Sequence, residues 1–277
     1  MAFAEDASRW YAEMSENLGP FGARARKVTV GIVHSTTAGA SLIGSGVLVR
    51  IGHERFVFTA AHVIEAEEFS AGTGAQLLGP NGTSHAVVAG TFTLPRDGAS
   101  RAADPIDAAV LRMKPECLDP PGCEYLTLAD LHVRIGPEES VCLFAYPERY
   151  ASYDGPTRNI RMDPLPYMSF TIPEDLRVRS SFDATMNIAF ALDRRQAVRL
   201  PGTLQDLPKL NGMSGGGLWH LRPDDGAAMS ATARLVGIFT EHRRGQKLGV
   251  ATNVGVHLQL LCDYWPELEP LVRLELE

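Results

Sequence analysis

Ser214 stands in the run Leu210-Asn211-Gly212-Met213-Ser214-Gly215-Gly216-Gly217-Leu218-Trp219. A serine hydroxyl acts as a nucleophile only where it can reach a carbonyl and where backbone N–H groups face the oxyanion that forms. Gly212 and the three glycines after Ser214 leave that space. The same string also serves as ordinary tight-turn chemistry, so a nucleophile needs a base and an acid from elsewhere in the chain. His62 ends the apolar stretch Phe56-Val57-Phe58-Thr59-Ala60-Ala61, and Asp107 stands immediately before Ala108-Ala109-Val110-Leu111. An acid at the head of an apolar run is costly unless hydrogen-bonded, and an imidazole N–H would satisfy it. Read singly, His62 is a satisfied core or surface residue and Asp107 a strand-start residue facing water. Together, a histidine, an aspartate and a serine are the three groups that acyl transfer of this kind uses. Ser214 attacks a carbonyl, His62 takes its proton and returns it to the leaving group, and Asp107 holds the imidazole tautomer. The N–H groups of Gly212 and Ser214 would receive the oxyanion. No metal or organic cofactor is required for this chemistry.

Short strands must position these three side chains. Alternating or continuous apolar runs predict strands over residues 28–33, 44–50 and 54–59, the last two joined as a hairpin by Ile51-Gly52-His53, and more near 86–89 and 104–111. A second set is expected at 139–146, 184–191, 197–200, 233–240 and 249–254, followed by a helix over 256–264 that ends before Pro266. Glu5 to Leu18 places Trp10, Tyr11, Met14 and Leu18 on one helical face, with Gly19-Pro20-Phe21-Gly22 as its stop. Residues 115–136 read as a linker. The poorly periodic stretch Pro147 to Asp183 is long for a structureless loop and is expected to hold irregular strands and a functional or regulatory surface. The expected fold class is therefore all-β. Three segments follow: an N-terminal helical extension over 1–26, a first β unit over 27–130, and a second β unit with a C-terminal helix over 131–277.

The 277 residues, 45% hydrophobic, can bury a large core. A net charge of −7 argues against nucleic-acid binding, and the arginines between Arg149 and Arg199 are interleaved with Glu148, Asp154, Asp163, Glu174, Asp175, Asp183 and Asp193. No apolar run reaches membrane-spanning length. Met1 to Leu18 lacks the basic region and apolar core of a signal peptide, so a cytoplasmic location is expected. Cys117, Cys123, Cys142 and Cys262 form no Cys-Xaa-Xaa-Cys pair, and no metal site is expected. Cys117 and Cys123 could close a small loop if oxidised, but reduced thiols fit a chain without a leader.

The setting of the three residues, Gly44-Ser45-Gly46 before a hairpin ending in Thr59-Ala60-Ala61-His62, then Asp107-Ala108-Ala109-Val110-Leu111, then Gly212-Met213-Ser214-Gly215-Gly216, resembles the trypsin-like (chymotrypsin-fold) serine peptidases over residues 28 to 265. The resemblance implies two antiparallel six-stranded β-barrels, with His62 and Asp107 from the first and Ser214 from the second. Val63 stands where secreted members have a cysteine, so the usual disulfides are missing, as in bacterial intracellular relatives. Met213 replaces the aspartate that pairs with a newly cut amino terminus in zymogens of the family. The resemblance also places a specificity pocket at Pro208, Phe239, Glu241, Gly249 and Ala251. Pro208 stands where enzymes cutting after Arg or Lys carry a carboxylate, and Gly249 and Ala251 would line an open, uncharged wall. This implies cleavage after small or apolar residues, unless Glu241 at the rim selects a basic one.

The leading expectation is a bacterial serine endopeptidase acting on a protein or peptide, with a regulatory protein partner in a stress or defence pathway as a candidate and no nucleic-acid or membrane partner. One alternative is an inactive or latent binding scaffold on the same fold. Another is an esterase using the same triad, although an α/β-hydrolase would need the order serine, acid, histidine.

Overall fold

The computed structural model describes residues 19–36, 39–65, 75–80, 84–87, 91–93, 106–115, 117, 119–154, 159–179, 183, 185–193, 198–199, 203–204, 207–221 and 232–276. Helix α1 (residues 19–28) leads into β1 (Thr29–Thr36), β2 (Gly39–Ile51) and β3 (Glu54–Thr59), then the one-turn helix α2 (Ala61–Ile64). Strands β4 (Ala75–Leu78), β5 (Ser84–Val87), β6 (Thr91–Thr93) and β7 (Ala109–Arg112) complete a seven-stranded sheet in the order β5-β4-β1-β2-β3-β7-β6. Next come β8 (Ser140–Ala145), β9 (Ala151–Asp154), β10 (Asn159–Met162), β11 (Leu165–Phe170), helix α3 (Glu174–Arg179) and β12 (Asn187–Ala191). The remaining elements are β13 (Val198–Arg199), β14 (Thr203–Leu204), β15 (Gly217–His220), β16 (Arg234–Arg243), β17 (Leu248–Asn253), α4 (Val254–Tyr264) and α5 (Glu269–Leu276). The second sheet has six strands in the order β11-β8-β15-β16-β17-β12, and a bridge between Thr171 and Phe190 joins its two edges into a closed curl.

The continuous apolar runs of the sequence follow from strands buried on both faces. Along β2 and β3, Leu48 and Val57 point into the first curled sheet with Val30, Ile32, Leu77 and Leu111. Their neighbours Val47, Val49, Phe56 and Phe58 point the other way, into a core shared with Phe144, Trp219, Leu258 and Trp265. Strand β8 repeats the pattern, with Val141, Leu143 and Ala145 inside the second sheet and Cys142 and Phe144 in the shared core. Burying each of these phenylalanines stabilises the fold by about 2–3 kcal/mol. The shared core thus fixes the two sheets against each other, and the site lies where they meet.

The expected stop at Gly19-Pro20-Phe21-Gly22 is corrected: these residues are helical. Proline's fixed φ is compatible with a helix, and Phe21 is fully buried, edge-on to Trp219 at 5.6 Å and to Phe144 at 6.3 Å. The helix predicted over Glu5 to Leu18 lies outside the described residues. The helix predicted to end before Pro266 does so: α4 stops at Tyr264, and Trp265 is not helical. That proline opens a short 3₁₀ turn and then α5, which suits a residue lacking a backbone N–H at a helix start. The stretch from Pro147 contains the β9–β10 hairpin, whose Ile160 and Met162 pack with Val33, Leu42, Leu78 and Tyr146. Part of the predicted regulatory surface is therefore core. All four cysteines are free thiols, and among the described residues no helix is long and apolar enough to cross a membrane.

Candidate active site

Strand pairing brings His62 to Asp107. Strands β3 and β7 run antiparallel with Thr59 opposite Ala109, so the chain leaving β3 passes the chain entering β7. In α2, Ala61, Val63 and Ile64 are buried, which turns His62 outward with 42% of its side chain exposed. Asp107 accepts twice from that one residue: Oδ1 from the His62 backbone N–H (3.0 Å) and Oδ2 from Nδ1 (2.5 Å). A carboxylate can only accept, so Nδ1 carries a ring proton, and in the neutral imidazole the lone pair is the one on Nε2. The Thr252 hydroxyl, from β17, donates to the Asp107 carbonyl at 3.2 Å and ties the acid's backbone to the second sheet.

Ser214 lies in the turn before β15, and glycines let that turn press against the first sheet. A Cβ on Gly44 would lie 2.4 Å from Val63 Cγ1 and 3.1 Å from the Ser214 carbonyl oxygen, which places Ser214 beside the residue following His62. Among the described residues no hydrogen bond joins the Ser214 hydroxyl to His62. Such bonds are commonly long before substrate binds and tighten in the complex.

The backbone of the turn follows a regular pattern. Glu148 N–H donates to Asn211 O (2.7 Å), Gly216 N–H to Met213 O (3.0 Å), and Ser45 N–H to Ser214 O (2.7 Å). Met213 N–H donates to Leu210 O (3.0 Å) and Gly215 N–H to Phe239 O (2.7 Å). The Gly212 and Ser214 N–H groups, predicted to receive an oxyanion, find no acceptor among the described residues. Because the C=O and N–H of a trans peptide point in opposite directions, anchoring Asn211 O and Met213 O also sets the direction of these two donors. Gly212 adopts φ +82°, and a Cβ there would lie 2.8 Å from Glu148 N.

Met213 is fully buried among Leu143, Leu218, Val236 and Phe239, so an apolar side chain fills the position before Ser214. The expected open wall at Gly249 and Ala251 is corrected. Phe190 is the cross-strand neighbour of Gly249, and its ring covers the glycine so closely that a Cβ would lie 2.3 Å from Cζ. Phe239 meets the same ring edge-on at 6.1 Å, and Pro208, Phe239, Gly249 and Ala251 are all buried. Glu241 lies beyond a bulge in β16, exposed, and accepts from Arg243 Nε at 3.1 Å. A surface cleft of about 370 Å³, lined by Val133, Ile135, Thr171, Asn187, Ile188 and Asn253 among others, contains none of the five.

Sequence reasoning missed the supporting residues Ser45, Thr59, Tyr146, Thr252 and His257. His257, in α4, is fully buried, stacks on Phe58 (5.3 Å, 23° between rings), and donates from Nε2 to Thr59 O at 3.0 Å. Burial holds its pKa below the ordinary imidazole value, despite opposing pulls from the Thr59 and Asn253 carbonyls and the Asp107 charge. The folded state therefore favours the neutral ring more than the unfolded chain does. Above about pH 6.5 the unfolded chain also carries it neutral and the contribution is complete. As pH falls below that, the unfolded state binds a proton that the folded state refuses, and stability declines by up to about 1.4 kcal/mol per pH unit. Thermal unfolding followed by circular dichroism should show Tm falling between pH 7 and pH 5. His257→Gln, which keeps a donor for Thr59, should flatten that decline; an unchanged slope would exclude His257 as its source.

Two curled antiparallel sheets packed on a shared core, with a C-terminal helix, constitute the chymotrypsin-like fold. No protein-family model and no curated protein matches the chain. Among solved structures it is similar to a scabies mite inactivated protease paralogue, at 15% identity over 88% of this chain and 96% of that one, with a TM-score of 0.53. It is also similar to kallikrein-related peptidase 10 in complex with Zn2+, at 14% identity over 88% of this chain and 98% of that one, with a TM-score of 0.53. One of these is described as inactivated and the other as a peptidase, so likeness of fold does not by itself decide activity.

Proposed function

We propose that the chain is a serine endopeptidase working through Ser214, His62 and Asp107. The observation that carries this reading is the hydrogen-bond pattern of the Ser214 turn, in which the Gly212 and Ser214 N–H groups find no acceptor among the described residues while the carbonyls of their own peptides, Asn211 O and Met213 O, are each held by a donor. Ser214 adds to the scissile carbonyl as His62 Nε2 takes its proton, and the imidazolium is stabilised by the Asp107 carboxylate at Nδ1. The oxyanion lies against Gly212 and Ser214 N–H, the amine leaves with the proton from His62, and water hydrolyses the acyl-enzyme by the same route. Phe190 over Gly249 makes the acyl-side pocket shallow and favours small, uncharged residues before the cut. The Glu241 carboxylate, already paired with Arg243, is a poor candidate for selecting a basic one.

A fluorophosphonate probe should label the wild type and leave Ser214→Ala and His62→Ala unlabelled, and a peptide-library profile should peak at small acyl-side residues. Absence of labelling from folded wild type would favour the scaffold reading, and a profile dominated by Arg or Lys would overturn the pocket assignment.

A further inference from the structure

We propose that Ser45 is the positioning residue of the Ser214 turn, a role that rests on the peptidase reading for its effect on rate but not for its effect on the turn. Ser45 is fully buried on β2, and β2 pairs with β3 only from Ile51 back to Val47. Beyond Val47 the chain opposite has turned away into α2, which leaves the backbone edge of Ser45 without a strand partner on that side. The Ser214 turn takes that place. Ser45 N–H donates to Ser214 O at 2.7 Å, and Ser45 O accepts from the Thr59 hydroxyl at 2.7 Å. The Ser45 hydroxyl donates to Gly212 O at 2.9 Å and accepts from Tyr146 N–H, at the end of β8, at 3.0 Å.

One buried residue thereby binds the carbonyls on both sides of Met213-Ser214, the second sheet at Tyr146, and the strand that ends three residues before His62. Gly44 and Gly46 keep the approach open, since a Cβ on Gly44 would strike Val63 and one on Gly46 would lie 2.5 Å from Val57 Cγ1. The hydroxyl matters most for Gly212. The peptide joining Gly212 to Met213 is held on its carbonyl side by that hydroxyl alone among the described residues, and it lies between the two peptides whose N–H groups, those of Gly212 and Ser214, are the proposed oxyanion donors. Ser45→Ala removes the restraint and leaves Gly212 O and Tyr146 N–H without this partner, while neither His62 nor Asp107 is touched.

The experiment compares wild type, Ser45→Ala, Ser45→Cys, which keeps a weaker donor in the same place, and Leu48→Ala, a stability control buried in the first sheet's core. Two quantities are read well below each variant's Tm: hydrogen exchange of the peptide covering residues 210–216, and fluorophosphonate labelling rate per folded molecule against pH. In Ser45→Ala, exchange over 210–216 should rise about 10-fold more than in the sheets, as expected for loss of one buried hydrogen bond. Its labelling should slow about 100-fold with an unchanged pH midpoint, as expected when an oxyanion donor is misaligned and the base is not. Ser45→Cys should fall between, and also serves if Ser45→Ala does not fold; Leu48→Ala should label at the wild-type rate. Unchanged exchange over 210–216 would overturn the proposal, as would wild-type labelling of Ser45→Ala or a displaced pH midpoint. If folded wild type is not labelled, the peptidase reading fails, and exchange alone decides whether Ser45 holds the turn.

Discussion

Asp107→Asn is expected to slow probe labelling and peptide hydrolysis about 10⁴-fold while leaving the fold intact. The structure says why an isosteric change should matter so much. Asp107 Oδ1 accepts from the His62 backbone N–H and Oδ2 from Nδ1. An asparagine has one oxygen and one NH₂, and the backbone N–H can only be satisfied by the oxygen. The amide NH₂ is then turned toward Nδ1, which must become the acceptor, so the ring proton moves to Nε2. An imidazole protonated on Nε2 cannot take the Ser214 proton. The measurement is kcat/KM on a small-residue peptide together with Tm. A variant within tenfold of wild type would show that Asp107 does not set the tautomer. A Tm lowered by more than a few degrees would instead point to lost structure.

Gly215→Ala is the change expected to damage the fold most. Gly215 adopts φ +88°, a region that a residue with a Cβ rarely enters, and a Cβ there would lie 1.9 Å from Ser45 O and 2.2 Å from Thr59 Oγ1. Neither can retreat, because Ser45 O belongs to β2 and Thr59 Oγ1 is already bonded to it. Gly215 itself is held by its N–H to Phe239 O at 2.7 Å. The sheets would have to part along the seam that carries the site, costing about 4 kcal/mol or more. For a chain of this size that is a fall in Tm of roughly 10 °C or more, or no folded protein at all. Thermal unfolding and soluble yield decide it, and an alanine variant within 3 °C of wild type would show that the turn can shift at little cost.

The glycines around Ser214 therefore have two separate reasons. Gly212 leaves room beside Glu148 N and supplies an N–H with no acceptor among the described residues, whereas Gly215 lets the turn touch the first sheet. From the sequence they read as one glycine-rich turn around a nucleophile. The hairpin of β2 and β3 was legible because its apolar residues and the Gly52 turn are local, and Gly52 does take φ +60°. The helical nature of residues 19–28 was not. Gly19-Pro20 is a strong local stop signal, and what overrides it is distant: Phe21 packs on Phe144 and Trp219.

By itself the sequence pointed to the residues proposed to react, His62, Asp107 and Ser214, and to the strand runs that carry them, because composition and alternation are properties of neighbours along the chain. Tertiary structure alone decided what surrounds them. Ser45 meets groups 14, 101 and 167 positions away, and no local pattern encodes those meetings. The same holds for the pocket: Gly249 reads as empty space in the sequence, and the pairing of β12 with β17 lays Phe190 across it. A missing side chain specifies only that a neighbour can come close. Which neighbour does so is fixed by strand register, where a shift of one residue would turn a different side chain toward the glycine.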